Sequence, residues 1–385
     1  MPLSAGPLTG GELATLLWPL IADRVKAHYE DDGIALPDRL TAGGLSHSGS
    51  SCRAGSALAT DKVTITVVVA TRDRTESLLR CLTALSRSSY SAFDVVVVDS
   101  APRTDLTERA LAEHPPWPFP LRYLRLSRPG LALAHNAALP AVTGEVVAIT
   151  DDDVEVHQEW LTAIAEAFTQ PDVTCVTGLI LPAELETTAQ LLLEQAGGFG
   201  RGYARRAFNR DMPDPEPLFP FTAGRFGSGA NMAFRAEWLA ARGGFDVALG
   251  AGTPARGGDD LTAFLRVILD GGTLVYEPGA VVRHHHRRGY QELRRQAFGY
   301  GMGLGAYLAA SLWARPNLLG TMLRRAVPAA RYLLGPRSAK NADRGAWFPR
   351  ELVWRELAGV VVGPFGYAVS RWRHRNAAGR EGASS

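Results

Sequence analysis

The chain has 385 residues, of which 46% are hydrophobic and 21% charged, values that fit a globular protein with a large core and one or two domains. Its net charge of +2 hides an asymmetry: residues 284–385 carry 17 basic and 5 acidic residues, a net charge of +12, whereas the preceding residues carry −10. There is no uninterrupted run of 18 apolar residues and no basic start followed by an apolar run, so we expect neither a membrane-spanning helix nor a signal peptide.

The three cysteines form no metal-binding pattern, and one of them would be left over in any disulfide scheme. Cys81 and Cys175 lie in apolar stretches of the sequence, but Cys52 does not. We therefore expect reduced core thiols and a cytoplasmic protein.

The first 62 residues predict an N-terminal extension. One amphipathic helix is expected at about residues 11–29, and residues 41–60 are rich in Gly, Ser and Ala, as flexible linkers are. Nothing in this segment indicates a function.

Strands and helices alternate from Val63 onward. Residues 63–70 form a β-branched run that is too continuous for a strand with one exposed face, so they predict a parallel strand covered on both sides. The alternation predicts right-handed βαβ units and an α/β fold with a mostly parallel sheet over residues 63–286. The other predicted strands are residues 93–98, 121–126, 145–150, 173–181, 230–234, 274–276 and 280–282. The predicted helices are residues 75–86, 106–113, 131–141, 158–168, 236–241 and 260–269.

Residues 197–229 interrupt this alternation. They are rich in Gly, Pro and Arg, which argues for a long irregular loop, and such loops in compact domains are usually lids or binding loops. Beyond residue 286 the chain predicts helices with Arg on one face and Leu, Ala, Tyr or Trp on the other. Residues 287–385 are therefore expected to form a helical, basic C-terminal region.

The most informative motif is the acidic triplet Asp151-Asp152-Asp153, which ends a predicted buried strand. Adjacent carboxylates repel one another, so a compensating cation is expected, and carboxylate oxygens suit Mg²⁺ or Mn²⁺. In parallel α/β sheets, ligands bind just beyond the carboxyl ends of the strands, where this triplet falls. The alternative is a solvated acidic turn that caps the following helix.

Three weaker signals accompany the triplet. Asp259 and Asp260 stand at a predicted helix start, where capping is the commoner explanation. Asp99 ends the second strand, either as a turn residue or as an acceptor for a base or ribose. His284 opens a run of three histidines, which is either a polar strand end or, beside an Asp-x-Asp element, the source of a metal ligand.

In this order and on these elements, the motifs resemble the family 2 glycosyltransferases, inverting enzymes of the glycosyltransferase A-type fold that use nucleoside-diphosphate sugars. The resemblance runs from Val63 to Arg288, a little under three fifths of the chain. It rests on TVVVATRDR at 66–74, VVVDS at 96–100, PGLALAHNAAL at 129–139, TDDDV at 150–154, GSGANMAFR at 227–235, GGFD at 243–246, GGDDL at 257–261 and YEPGAVVRH at 276–284.

The resemblance implies roles for residues of this chain. It implies that a Mn²⁺ or Mg²⁺ cofactor is held by Asp153, with Asp151 and His284 as further ligands. Asp260 would be the general base, with Asp259 beside it. The residues implied in donor binding are Thr71, Arg72, Arg74, Asp99, Asn136, Asp151 and Asp152. The acceptor side would include Gly229, Asn231 and Trp238.

Two departures from the family pattern bear on these roles. His135 stands where the family usually has Arg, so an arginine contact to the donor diphosphate is missing or replaced. The Gln-x-x-Arg-Trp motif of processive synthases is absent, and Arg294-Arg295-Gln296 resembles it only distantly. This absence favours transfer of one or a few sugars.

The residue types also fit this chemistry by themselves. A bound cation would stabilise the departing diphosphate, and a carboxylate would accept the proton of the acceptor hydroxyl. Because the two groups approach opposite sides of the sugar, the anomeric carbon is inverted in one step. We therefore predict a metal-dependent, non-processive inverting glycosyltransferase. Its donor would be a nucleoside-diphosphate sugar, with a UDP-sugar as first candidate, and its acceptor a hydroxyl on a glycan, lipid or small molecule.

Other classes fit less well. A glycoside hydrolase needs neither the acidic triplet nor a nucleotide site, and the Gly-rich residues 299–305 follow no strand, unlike a dinucleotide-binding turn. No nucleic-acid-binding module accompanies the basic tail. The main alternative is a non-catalytic protein that binds a sugar nucleotide or carbohydrate on the same fold, which the presence of Asp153 and Asp260 disfavours.

The C-terminal region has two open interpretations. Residues 300–313, 322–334 and 357–369 are apolar stretches, too short or too interspersed with Arg to span a bilayer. They predict either helices lying in the headgroup region of an anionic membrane or helices packed on the catalytic domain. The first interpretation predicts a peripheral protein at the inner face of the plasma membrane.

Overall fold

The computed structural model describes residues 9–32, 38–45, 63–211, 216–335, 338 and 348–381. The chain divides into two compact units, Met1–Asp61 and Lys62–Ser385. In the first unit, helix α1 spans Gly10–Asp32 and covers the predicted helix. Most of the predicted linker, residues 46–60, lies outside the described residues, and so does Cys52.

The second unit contains a nine-stranded sheet. Its strands are β1 (Ile65–Thr71), β2 (Phe93–Ser100), β3 (Leu121–Leu126), β4 (Val146–Asp151), β5 (Val154–Val156), β6 (Val173–Pro182), β7 (Arg206–Phe208), β8 (Asn231–Arg235) and β9 (Thr273–His284). Strands β5 and β7 are new relative to the sequence prediction, because three residues are too few to show a periodicity.

Eleven α-helices accompany the sheet in the described part of this unit. They are α2 (Thr75–Leu85), α3 (Leu106–Glu113), α4 (Leu131–Ala138), α5 (Trp160–Phe168), α6 (Thr188–Gln195), α7 (Ala236–Ala241), α8 (Asp259–Leu269), α9 (Tyr290–Ala314), α10 (Leu319–Arg324), α11 (Ala326–Leu334) and α12 (Arg350–Glu381). Short 3₁₀ turns lie at Leu139–Ala141, Ala223–Arg225 and Pro316–Leu318.

The sheet mixes parallel and antiparallel pairs, in the order β3-β2-β1-β4-β8-β6-β9-β5, with β7 paired to β9. Strands β1 to β4 pair in parallel, as the alternation predicts. β8 is antiparallel to both β4 and β6, and β9 is parallel to β6 but antiparallel to β5 and β7. A long loop rather than a crossover helix precedes β8. The chain can therefore enter the sheet from the end opposite to that of β4 and β6, which makes β8 antiparallel to both. The α/β prediction and the helical C-terminal region are confirmed, with a sheet that is mixed in its second half.

One predicted boundary is wrong. The segments at 274–276 and 280–282 are parts of a single strand, β9, whose register against β6 shifts between Gly178 and Leu179. Pro278 and Gly279 in its middle therefore interrupt the pairing without ending the strand.

The core lies on both faces of the sheet, as the β-branched run at 63–70 predicts. Ile65, Val67 and Val69 are buried in one cluster with the helix residues Leu78 and Trp160. Val68 points to a second cluster on the opposite face, which contains Phe234 and Phe264. Alternate residues of one strand thus pack against different helix layers.

Helices α9 and α12 pack closely through glycines. A Cβ atom at Gly301 would lie 1.9 Å from the carbonyl oxygen of Glu356, and one at Gly305 would lie 2.2 Å from that of Val360. Among the described residues, α12 is the one helix long and apolar enough to cross a membrane by length and composition, with a mean hydropathy of 1.2 over its best window and 22% of that window buried. This finding corrects the expectation that the chain holds no such helix.

Candidate active site

The candidate site lies where parallel strands end side by side. Thr71 at the end of β1 is paired with Asp99 of β2, and Ala70 is paired with Asp151 of β4. The shared register therefore brings three sequence motifs to one edge of the sheet.

Asp151, Asp153 and His284 form a group that could hold a metal ion. One ligand atom from each lies within 4.8 Å of the other two. β5 follows the acidic triplet at once and pairs with β9, so that Val154 lies opposite His284. This pairing places His284 Nε2 3.4 Å from Asp153 Oδ1.

Hydrogen bonds behind His284 decide which of its nitrogens faces the carboxylates. His286 Nε2 lies 2.8 Å from Glu194 Oε1, and an ionised carboxylate only accepts, so this nitrogen carries the hydrogen. In the tautomer with that hydrogen alone, Nδ1 of His286 is an acceptor, and it takes a hydrogen bond from Nδ1 of His284, 2.9 Å away. Burial lowers the pKa of His284 and keeps its ring neutral. Its Nε2 therefore directs a lone pair at an oxygen of Asp153, an arrangement that a cation between them would stabilise.

Asp152 is instead bonded to the protein. Its carboxylate accepts from Thr71 Oγ1 at 2.7 Å and from Arg74 Nη1 at 2.8 Å, and the same Arg74 nitrogen donates to Asp153 at 2.9 Å. Burial and the neighbouring carboxylates raise the pKa of Asp151 well above its ordinary value. Arg74 therefore offsets only part of the repulsion, and two carboxylates with an imidazole form a donor set that suits Mn²⁺ or Mg²⁺.

Asp259 and Asp260 form a second acidic pair at the start of α8. The N-cap residue is Gly258, in the left-handed region at φ 88°, so neither aspartate is the N-cap. Asp260 Oδ2 accepts the backbone N–H of Gly229 at 2.9 Å, and Oδ1 accepts that of Leu261 at 2.8 Å. Burial raises the pKa of both carboxyls, and the charge of Asp260 raises that of Asp259 further. A fixed carboxylate with a raised pKa suits general-base chemistry.

Both acidic groups line one cavity of about 1190 Å³. Segments 196–201 and 218–230 of the long loop line it as well, whereas loop residues 212–215 lie outside the described residues. The predicted site residues that line this cavity are Thr71, Arg72, Arg74, Asp151, Asp152, Asp153, Gly229, Asp259, Asp260 and His284.

The two predicted asparagines, both within the described chain, do not line the cavity. Asn136 bonds the backbone of Phe245 twice, through Oδ1 at 2.7 Å and Nδ2 at 2.8 Å. Asn231 accepts from Trp160 Nε1 at 2.8 Å and donates to the carbonyl of Ala280 at 2.8 Å. In the structure, both side chains hold one segment of the fold against another.

Two further predicted residues, also described, lie away from the cavity lining. Asp99 is buried and accepts a hydrogen bond from the hydroxyl of Tyr123 at 3.0 Å. The ring of Trp238 is covered by the guanidinium of Arg242, 4.5 Å from its centre. Sequence order alone did not separate these positions from their cavity-lining neighbours.

The structure also brings in residues that the sequence did not single out. Arg287 Nη2 lies 3.6 Å from Asp153 Oδ2, and Tyr300 of α9 lines the same cavity. His286 and Glu194 orient His284. The run of three histidines and two arginines carried a signal for Arg287, but the sequence offered none for Glu194 or Tyr300.

Residues 66–242 match the model of glycosyl transferase family 2. The chain is 31% identical over 182 residues to the pre-mycofactocin glycosyltransferase of Mycobacterium tuberculosis, covering 47% of this chain and 35% of that protein. It is 25% identical over 237 residues to the succinoglycan biosynthesis protein ExoM of Rhizobium meliloti, covering 60% and 70%. The chain thus spans about a third of the length of the mycobacterial relative.

Among solved structures, the mannosyltransferase PcManGT of Pyrobaculum calidifontis, in complex with GDP-Man and Mn²⁺, is 23% identical to this chain. The match covers 78% of this chain and 86% of that one with a TM-score of 0.48, too low to bear on function. The matched residues include β4, which ends in the acidic triplet, and Gly229, whose N–H donates to Asp260. Residues 66–242 are therefore similar to glycosyl transferase family 2 over a little under half of the chain.

Proposed function

We propose that the protein is a metal-dependent, inverting glycosyltransferase that moves one sugar from a nucleoside-diphosphate donor to an acceptor hydroxyl. One observation carries the proposal: the Asp151, Asp153 and His284 group and the Asp259–Asp260 pair line the same cavity. The similarity to family 2 and the names of the relatives, a glycosyltransferase and a polysaccharide biosynthesis protein, support sugar transfer.

The acidic end of the cavity would bind the donor. Mn²⁺ or Mg²⁺ held by Asp151, Asp153 and His284 would supply Lewis-acid stabilisation of the departing diphosphate. Arg72 and Arg287 line this end and would add positive charge beside the phosphates. A UDP-sugar is the first donor to test.

Asp260 would act on the acceptor. Its carboxylate is held in place by the N–H groups of Gly229 and Leu261, and it would take the proton of the acceptor hydroxyl as the new bond to the anomeric carbon forms. The bond from that carbon to the diphosphate oxygen breaks on the opposite side. The configuration is therefore inverted in one step, without a covalent enzyme intermediate.

A protein that binds a sugar nucleotide without turnover is the second candidate, because the same cavity would serve it. Two carboxyls with raised pKa that line the same cavity as the metal group favour an enzyme. Binding alone would not need this costly arrangement.

Thermal unfolding with a panel of nucleotides and nucleotide sugars, with and without Mn²⁺, tests the donor site, because a ligand stabilises the folded state that binds it. We expect a Mn²⁺-dependent rise in Tm that EDTA or Asp153→Ala abolishes. Release of nucleoside diphosphate in the presence of an acceptor mixture then separates an enzyme from a binding protein. No stabilisation by any nucleotide would refute the proposal.

We further propose that the protein is cytoplasmic and peripheral, docked on an anionic membrane through α12. Exposed apolar side chains follow one face of this helix at spacings of seven, four and seven residues: Trp354, Val361, Phe365 and Trp372. Arginines flank them, and residues 284–385 carry a net charge of +12. An exposed apolar face flanked by arginines suits the headgroup region of a bilayer.

A further inference from the structure

Helix α9 changes character along the cavity. Its cavity-lining residues are polar or small near the acidic end, and apolar farther along. In chain order they are Gln296, Gly299, Tyr300, Gly303, Leu304 and Leu308. The two leucines are half-buried. The part of each side chain that stays exposed faces the cavity.

Asp260, the proposed general base, lies near the position on α9 where the cavity-lining residues change from small or polar to apolar. A Cβ atom at Gly258 would lie 2.6 Å from the carbonyl oxygen of Gly303, and Asp260 follows two residues later. Leu304 is the next residue of α9, and Leu308 lies about 7.5 Å beyond Gly303 along the helix axis, at 1.5 Å per residue. A molecule with its hydroxyl at Asp260 can therefore continue along these leucines.

A second group of apolar residues lines the same cavity, which also has the charged side chains of Arg201, Arg225 and Glu356 in its lining. Four cavity-lining residues of α10 and α11 are apolar, and the three in α11 are spaced by three and four, which places those three on one helical face. The four are Met322, Ala326, Ala329 and Leu333. Arg325 and Tyr332 border this strip, and Arg325 is fixed against the ring of Phe221, 5.9 Å from its centre.

We propose that the acceptor is an amphiphilic alcohol, with its hydroxyl at Asp260 and an apolar chain between the α9 leucines and the strip of α10 and α11. The inference rests on the proposed function. The cavity of about 1190 Å³ exceeds the roughly 300–1,000 Å³ of pockets for one small ligand, so a second substrate has room. The apolar side chains of the strip offer no hydrogen bonds, so an alkyl chain loses nothing by lying against them, whereas a hydroxyl placed there would lose its bonds to water.

The test uses the full chain and alkyl glucosides of increasing length, from methyl to decyl, below their micelle concentrations, with binding measured by calorimetry. Affinity should rise by roughly two- to fourfold for each added methylene, as expected for burial of a CH₂ group. Ala329→Trp, which fills the strip, and Leu308→Asp, which adds a charge to it, should each abolish this rise. Val327→Asp is the matched control, because Val327 is 61% exposed on the same helix and should leave the rise intact.

Mn²⁺-dependent binding of UDP is measured in the same proteins and should be unchanged. A flat series in the unmodified protein, or one that both cavity variants leave intact, would overturn the inference. Absence of nucleotide binding with an intact alkyl series would instead remove the proposed function. Should Leu308→Asp fail to fold, Ala329→Trp still decides the question, since its residue is only partly buried.

Discussion

At the scale of single residues, the site depends on which atoms can donate. Glu194 accepts a hydrogen bond from His286, and Nδ1 of His286 accepts one from His284. The Nε2 lone pair of His284 is then directed at Asp153. Metal-binding histidines are commonly oriented in this way by a hydrogen bond at the other ring nitrogen. The orientation of His284 is therefore set by a residue that does not touch the proposed ion.

Glu194→Gln tests this chain of hydrogen bonds. A glutamine amide can donate to His286, so the fixed tautomer of His284 is lost, and Mn²⁺ affinity should fall by about 10- to 100-fold. Calorimetric titration with Mn²⁺ measures the effect. Glu186→Gln is the control, because Glu186 pairs with Arg288 at the surface, and equal affinities in the two variants would contradict the mechanism.

Asp260→Asn tests the general base. Loss of a positioned base should lower kcat by about 10²- to 10⁴-fold, while donor affinity stays near that of the unmodified protein. Steady-state kinetics and nucleotide titration measure the two quantities separately. An undiminished kcat would reassign the base.

Asp259→Asn should change how stability depends on pH. Burial and the charge of Asp260 raise the pKa of Asp259 from 3.8 to about 7, so between these values the folded protein keeps a proton that the unfolded chain releases. Stability should therefore fall as pH rises from about 4 to about 7, and the asparagine variant should lose this part of the fall. Chemical unfolding across that range measures the effect, and an identical pH dependence in the two proteins would contradict it.

At the scale of elements, glycines decide how the C-terminal helices pack. Gly301 and Gly305 of α9 face the backbone of α12, and Gly363 of α12 faces Met302. Small residues at these positions let the two backbones approach more closely than ordinary side chains allow. The cavity wall formed by α9 therefore depends on α12 lying behind it.

Gly301→Leu should destabilise the protein by about 1–3 kcal/mol or more, because the added side chain overlaps the carbonyl of Glu356. Gly299→Ala is the matched control. A Cβ at Gly299 meets nothing within 4 Å, so alanine should be neutral or stabilising by up to about 1 kcal/mol. Chemical unfolding measures both, and equal stabilities would show that α9 and α12 do not pack as described.

At the scale of the whole molecule, charge and apolar surface are distributed unevenly. The acidic part of the chain holds the proposed catalytic cavity, and the basic C-terminal region covers one side of it and exposes the apolar face of α12. A membrane-docked protein with this arrangement would hold its acceptor strip near the bilayer, where amphiphilic alcohols are concentrated.

Sedimentation with vesicles tests the docking. The protein should pellet with phosphatidylglycerol vesicles at low salt and less so at high salt, because the attraction is partly electrostatic. The double change Phe365→Ser and Trp372→Ser should weaken binding, whereas Leu191→Ser, at an exposed apolar position of α6, should not. Equal sedimentation with and without vesicles would remove the proposal.

The sequence by itself determined much of the domain. The alternation from Val63 predicted the β1 to β4 layer and its helices, and the motifs at strand ends and at the start of α8 predicted all five aspartates that line the cavity. These features are readable because burial repeats with the period of each element, and because parallel strands end at a common edge. The roles of these residues in catalysis stay predictions.

Only the tertiary structure decided which distant residues meet. The antiparallel entry of β8, the pairing of β5 with β9 that brings His284 to Asp153, and the apolar wall from α9 to α11 follow from contacts between segments far apart in the chain. The same holds for Asn136, which the motif assigned to the donor and the fold assigns to the backbone of Phe245. Local periodicity records whether a residue is buried, but the identity of its neighbour depends on the packing of the whole chain.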